Sequence, residues 1–242
     1  MEDRKKTIVI FSGAGLSTES GIPTFRDSGG LWEQHRVEDV ASPEGWMRNK
    51  KMVLDFYAAR FLKQQQCQPN PAHHAIAALG KHHTVINITQ NIDTLLERAG
   101  CEHVWHLHGR IDMQKCEHHH SIGFTYEDAS CDYHSAISQP IKFGDACPHC
   151  GGQLRPDIVW FGEAVDMREE YLQKLTSRTD IFIGVGTSAI VYPAAGLLPL
   201  FRHTPEKYFI DPNPNYDVLD NYAMLQGTAS EQMPKLVEKL VE

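Results

Sequence analysis

The chain has 242 residues, 41% hydrophobic and 22% charged, which suits one α/β domain or a large domain with a small insert. A formal net charge of -8 with no run of clustered Lys and Arg excludes a duplex-binding scaffold, because neutralising phosphates needs a basic surface. Six cysteines are too few for a disulfide scaffold, and no apolar stretch reaches the roughly 18 residues that would span a bilayer.

The N-terminal Met1-Glu2-Asp3-Arg4-Lys5-Lys6 runs straight into apolar residues, with neither a signal-peptide nor a transit pattern, so a cytosolic protein without a membrane partner is expected. Thr7-Ile8-Val9-Ile10-Phe11 is β-branched and apolar on both faces, the signature of a buried parallel strand. A glycine turn follows at Gly13-Ala14-Gly15-Leu16-Ser17-Thr18 and opens a helix. Residues 31–69 read as helical, with one helix over 51–66, and a second helix is expected over 71–79. Strand 85–89 comes next, then a helix over 94–99 and a fifth candidate strand at 103–107. Residues 110–156 are polar, weakly periodic and rich in Cys, His and Gly. The alternation resumes with helix 168–177, strands 180–185 and 208–210, and a last helix over 230–241 opened by Ser230 without a full capping box.

Strands alternating with helices imply an α/β fold, a Rossmann-like doubly wound parallel sheet. The two interruptions are expected to form a smaller helical and zinc-binding lobe from about 31–69 and 110–156. The large lobe is then built from about 1–30, 70–110 and 157–242.

The glycines of Gly13-Ala14-Gly15 allow a sharp turn and close approach to a pyrophosphate at a helix N-terminus. The dinucleotide fingerprint is partial, since Thr18 stands where a third glycine would, and a ligand-free tight turn fits the same residues. In Ser20-Gly21-Ile22-Pro23-Thr24-Phe25-Arg26-Asp27, a loop that can fold over a cofactor, Arg26 suits phosphate and Phe25 can shield a reactive ring; an ordinary surface loop has the same composition. Cys147-Pro148-His149-Cys150-Gly151-Gly152 has the two-residue spacing with which two thiolates share a metal, and it forms half of a zinc knuckle. Tyr57 and Arg60 lie three apart on a helix, so both side chains can reach one pocket; a core Tyr beside a solvent-facing Arg fits equally.

The run from Gly13 to Arg26, with Ser20-Gly21-Ile22-Pro23-Thr24-Phe25-Arg26 at its end, resembles the NAD-binding signature of the sirtuins, the NAD-dependent lysine deacylases. Four further stretches agree in the family's order: Thr89-Gln90-Asn91-Ile92-Asp93, Leu107-His108-Gly109, Val159-Trp160-Phe161-Gly162-Glu163 and Gly184-Val185-Gly186-Thr187-Ser188. The resemblance implies removal of acyl groups from acyl-lysine protein substrates, giving nicotinamide, O-acyl-ADP-ribose and free lysine. It makes His108 the catalytic base, whose unperturbed pKa near 6.5 suits proton transfer at neutral pH.

By the same resemblance, Asn91 and Asp93 hold the nicotinamide carboxamide and its ribose, although an Asx turn capping the next helix would use the same two residues. Gln90 approaches the ribose hydroxyls, and Gly186, Thr187 and Ser188 contact phosphate or the adenosine ribose. Gly13, Ala14, Gly15, Thr18, Phe25, Arg26 and Ala229 complete the cofactor set. Asp211, followed by Pro212 and Asn213, replaces the family's usual Asn, and its carboxylate predicts NAD over NADP. Val159, Trp160, Phe161 and Gly162 look like the strand that pairs with the substrate peptide. The family pairs the zinc knuckle with an earlier Cys-x-x-Cys, here Cys116-Glu117-His118-His119, so Cys116, His119, Cys147 and Cys150 are the expected structural-zinc ligands, with Cys131, His118 and His120 as substitutes. The Tyr57/Arg60 spacing and Trp160 resemble the branch that removes succinyl and malonyl groups, where Arg grips a carboxylate bidentately. The alternatives are a deacetylase without acidic-acyl preference and a mono-ADP-ribosyltransferase. Oligomeric state is not legible in the sequence.

Overall fold

The alternation of buried β-branched runs with amphipathic helices resolves into a parallel sheet in a computed structural model that describes residues 4–23, 31–32, 35–119, 131–187, 196–214 and 221–242. In chain order β1 (Thr7–Ser12) leads into two 3-10 turns, Ala14–Leu16 and Thr18–Ser20. Then come β2 (Leu31–Trp32), β3 (His35–Arg36), α1 (Val37–Val40), α2 (Pro43–Arg48), α3 (Lys50–Gln66) and α4 (Pro71–Leu79). They are followed by β4 (Thr84–Thr89), α5 (Leu95–Ala99), β5 (Val104–His106), β6 (Gly109–Cys116), β7 (His134–Ala136) and β8 (Leu154–Ile158). The chain closes with α6 (Glu169–Thr176), β9 (Ile181–Val185), α7 (Leu197–Leu200), β10 (Glu206–Asp211), β11 (Ala223–Gln226) and α8 (Ala229–Val241).

Six strands run parallel in the order β11-β10-β9-β1-β4-β5. From β1 the chain builds outward through β4 and β5, then returns to the other side of β1 through β9, β10 and β11. The strand order reverses between β1 and β9, and the carboxyl ends of these strands are where an open α/β sheet accommodates a ligand. Both faces are covered, which is why the strands read as unbroken apolar runs. Ile8, Ile10, Ile183 and Ile210 pack against α4 and α8 on one face, and Val9, Phe11, Phe182 and Phe209 pack against α6 and α7 on the other. The expected doubly wound sheet is present.

Four local expectations change. Residues 110–156 contain a three-stranded antiparallel sheet, β7-β6-β8, whose short strands and bulge between Gly109 and Gln114 erase a clean period-2 pattern. The 31–69 segment holds a two-residue hairpin, β2 with β3, before its helices. The last helix is capped by Thr228 in a reciprocal box with Glu231, two residues earlier than Ser230. The glycine turn opens two 3-10 turns in place of the expected helix, so the residues after β1 bring no long α-helix dipole to that strand end. A third apolar cluster joins α1–α3 to β6 and β8, with Trp46, Phe56, Tyr57, Ile111, Ile158 and Trp160 among its members.

Candidate active site and metal centre

The turns after β1 and β9 are packed back to back. Gly13 N donates to Val185 O at 3.1 Å and Gly15 N to Gly186 O at 2.8 Å. A Cβ on Gly15 would lie 2.7 Å from the Gly186 Cα, and Gly186 has φ +59. The glycines therefore serve the contact between two strand ends first, and that contact shapes the floor of the crevice. Thr18 Oγ1 caps the same turn by donating to Ala14 O. Phe25, Arg26, Ser188 and His120 lie outside the described residues.

The turn after β4 is tied into this floor. Gln90 N donates to Ser12 O, and Gln90 Nε2 reaches Thr187 Oγ1 at 2.8 Å, joining the ends of β1, β4 and β9. Asn91 Nδ2 donates to Gly13 O at 3.1 Å and to Ser17 Oγ at 3.2 Å. Asp93 accepts from Leu95 N at the start of α5 and from Ser17 Oγ at 2.9 Å, so it caps the helix and faces the glycine turn at once. Burial raises the Asp93 carboxyl above its ordinary pKa, and the bonds from Leu95 and Ser17 offset only part of that. Ser17 and His73 are the members that sequence reasoning missed. Fully buried His73 lies with Nε2 3.5 Å from Ser17 Oγ, and its Nδ1 accepts from Asn70 N in the capping box of α4. Desolvation, aided by His74, pushes His73 down to about 4. The Asn70–His73 spacing, a cap with His three residues on, was the available signal.

His108 follows β5, where Leu107 N pairs with Thr89 O. Its Nδ1 lies 3.0 Å from Gln90 O. A carbonyl only accepts, so the hydrogen sits on Nδ1 and Nε2 keeps a lone pair. Burial lowers the imidazole pKa and the Gln90 bond offsets part of that, so the neutral base dominates at pH 7. His108 O in turn accepts from Val159 N at 3.0 Å.

That bond starts the segment expected to receive a peptide. β8 ends at Ile158, and Val159 to Glu163 form a turn: Phe161 N donates to Ala41 O and Glu163 N to Trp160 O. Glu163 and Arg155, each 5% exposed, form a bidentate ion pair at 2.7 and 3.1 Å. Glu163 also accepts from Trp160 N, and the Arg155 guanidinium lies 3.2 Å from the Trp160 ring centroid. So held, Trp160 Nε1 donates to Tyr57 Oη at 3.1 Å. Burial pushes the Tyr57 phenol up to about 12, so it stays protonated. Arg60 stacks 4.5 Å over Phe56, one turn along α3 from Tyr57. Phe161 is exposed, and Gly162 adopts φ +94 beside Pro43.

At the far edge, Asp211 ends β10 and accepts from Asn213 N at 2.8 Å. Ala229 begins α8 with its methyl group in the sheet core, so main chain is what it offers a ligand.

In the antiparallel sheet the sulfurs of Cys116, Cys131, Cys147 and Cys150 lie within 4.8 Å of one another. The pairs Cys116–Cys150 and Cys131–Cys147 are 3.4 and 3.6 Å apart. A disulfide would need about 2.05 Å, whereas a tetrahedron with Zn–S bonds of about 2.3 Å has its sulfurs about 3.8 Å apart. The thiols therefore fit zinc. The fourth member is Cys131, not His119. The pairing Lys115↔His134 runs β7 back along β6, and Cys131 N bonds to His118 O, which sets Cys131 beside Cys116. His119 instead stacks edge-on to His134. His118 Nδ1 lies 3.7 Å from Cys150 Sγ, outside the four-sulfur set.

Residues 13–193 match the family described as SIR2: Sir2 family. The chain is 42% identical to a Helicobacter pylori protein named NAD-dependent protein deacylase, over 98% of both chains. The chain belongs to the Sir2 family. Its fold superposes on that of a Sir2 homologue solved with NAD at a TM-score of 0.84 and 34% identity, covering 99% of this chain and 92% of that one. A Sir2 protein bound to a myristoylated histone peptide aligns at a TM-score of 0.70 and 29% identity, over 98% and 92%. The Sir2 match takes in the glycine turn, His108, all four clustered cysteines and Trp160; Asp211 and Ala229 lie beyond it.

Proposed function

We propose that this Sir2 family member is an NAD-dependent protein-lysine deacylase with a structural zinc, and that it takes succinyl and malonyl as well as acetyl groups. The observation that carries the reaction is the His108 tautomer: Nδ1–H is spent on Gln90 O, which leaves Nε2 to accept a proton in the crevice. The bound dinucleotide supplies an electrophilic ribose carbon for the acyl oxygen. Asn91 and Asp93, held by the glycine turn, orient the nicotinamide end; Gln90 and Thr187 line the ribose and phosphate region. Asp211 at the adenosine end suits ribose hydroxyls and repels a 2′-phosphate. The main chain from Val159 to Gly162 receives the peptide, with Trp160 and Phe161 beside the acyl-lysine.

The acidic-acyl preference rests on Tyr57. Its oxygen accepts from Trp160, so its own hydrogen is left to donate to a carboxylate, one helical turn from the Arg60 guanidinium. The division into a large lobe (1–30, 70–110, 157–242) and a small lobe (31–69, 110–156) belongs to the same reading. So does a cytoplasmic location, where thiols such as these six stay reduced.

Matched acetyl-lysine and succinyl-lysine peptides, incubated with and without NAD and followed by mass, test both parts. NAD-dependent loss of succinyl that disappears in Arg60→Met, while deacetylation survives, is expected. Deacetylation alone would remove the acidic-acyl preference, and no mass loss on either peptide would remove the deacylase.

A further inference from the structure

Two histidines, two residues apart at the end of β5, grip consecutive carbonyls of the turn after β4. His108 Nδ1 meets Gln90 O at 3.0 Å, and His106 Nδ1 meets Asn91 O at 2.7 Å. The rings differ at their other nitrogen. His106 Nε2 lies 2.7 Å from Glu97 Oε1 on α5, and its side chain is only 6% exposed. A carbonyl and an ionised carboxylate both only accept. His106 can satisfy the two contacts together only with a hydrogen on each nitrogen, so one proton is held between His106 and Glu97.

The surroundings make that proton matter. The second carboxylate oxygen, Glu97 Oε2, is buried with no hydrogen-bond partner among the described residues. Arg110 on β6 comes no closer than 4.0 Å to Glu97, and it is engaged bidentately by Asp112 at 2.9 and 2.6 Å. Asp93, in the turn before α5, has its carboxyl pKa raised by burial, and the neighbouring Cys101 thiol stays neutral because burial pushes it up to about 12. Although burial alone would raise Glu97, the His106 bond and charge, with Arg110, bring its carboxyl below the usual value. The hydrogen bond from His106 is therefore the main one that Glu97 receives.

We propose that His106 and Glu97 are a positioning pair for the cofactor: the proton shared between them clamps the Asn91 carbonyl, and with it the Asn91 and Asp93 side chains at the nicotinamide end. The proposal rests on the deacylase reading for what those two side chains hold. Loss of the shared proton turns one of the two 2.7 Å contacts into lone pair against lone pair, and the turn loosens. Glu97→Gln keeps both contacts, because an amide N–H can face a singly protonated ring.

Long-range ¹H–¹⁵N spectra of the full-length protein at neutral pH are expected to show both His106 nitrogens protonated and His108 protonated at Nδ1 alone. A singly protonated His106 overturns the proposal whether or not the protein turns over substrate. In kinetics with acetyl-lysine peptide, Glu97→Ala is expected to raise the KM for NAD and lower kcat/KM about 10- to 100-fold. Glu97→Gln should recover to within about threefold of the wild type. NAD affinity by calorimetry should follow the same order, so a binding readout stands beside activity. A wild-type KM for NAD in Glu97→Ala would overturn the proposal; a wild-type protein that deacylates nothing would instead overturn the deacylase reading, leaving the spectra to decide the shared proton. If Glu97→Ala does not fold, the spectra and Glu97→Gln carry the test.

Discussion

The two polar centres of this molecule are held together by different means. At the strand ends three functional side chains are anchored to main chain: Asn91 to Gly13 O, His108 to Gln90 O, Asp93 to Leu95 N. Beneath it β9 is buried throughout and β1 at all but its first residue, so this centre needs nothing added to keep its shape. The four cysteines have mainly one another, at sulfur distances that only a shared ion makes favourable, and they sit among short strands with one bulge. A preorganised site on a deep core and a cross-linked site on a thin one should fail differently, and each perturbation below separates them.

The largest effect is expected from removing the metal. Structural zinc contributes on the order of 10 kcal/mol of apparent folding free energy. Chelation, or Cys131→Ser, should bring zinc below about half an ion per chain and melt β6–β8 first. Hydrogen exchange would show this as lost protection in 109–158 with protection retained in β1, β4 and β9. Loss of protection in both regions together would mean that the two centres fold as one unit.

His108→Asn should do the reverse. An Asn amide can still donate to Gln90 O but cannot act as a base, so kcat should fall about 10²- to 10⁴-fold with zinc content and melting temperature unchanged. In the wild type the lowered His108 pKa keeps the base neutral at neutral pH, and its contribution is lost in acid, as pH drops through the folded pKa. An acid limb at or above the ordinary histidine value would contradict the burial argument.

A smaller effect is expected from His73, depressed from 6.5 to about 4 by burial. A depressed folded pKa gives stability that is complete above the unfolded value and is lost as pH falls toward the folded one. Between pH 6.5 and pH 4 the loss is about 3 kcal/mol. Denaturant midpoints across that window should fall less steeply in His73→Asn than in the wild type, and parallel slopes would exclude His73 as a source of acid lability. The smallest effect is expected from His119→Ala, which should change stability by less than about 0.5 kcal/mol and keep one zinc per chain. Zinc loss in that variant would return His119 to the ligand set.

These contrasts match what was legible in the sequence. The five strands expected of the parallel sheet and helices α3, α4, α5, α6 and α8 were readable because each carries its own period or its own cap over contiguous residues. β11, with Ala223 and Gln226 exposed, carries no such signal and is a strand only because the edge of β10 is open to it. The active-site members fall in short runs, so Gln90, Asn91, Asp93 and His108 were named from their motifs. Ser17 and His73 were not, because their roles depend on α4 docking beneath the glycine turn.

The amino-acid sequence by itself determined the doubly wound sheet, the glycine turn and the thiol pair Cys147 and Cys150, since hydrophobic period, turn chemistry and two-residue ligand spacing are local properties. Only the tertiary structure decided the fourth thiol, the tautomer of His108 and the partner of Tyr57. Cys131 is fifteen residues from Cys116 and becomes its neighbour through the register of β6 with β7. The hydrogen on His108 is assigned by a carbonyl eighteen residues earlier, and the Tyr57 oxygen is engaged by an indole 103 residues later. Interactions over such separations depend on strand pairing and on burial, which no window of the sequence contains.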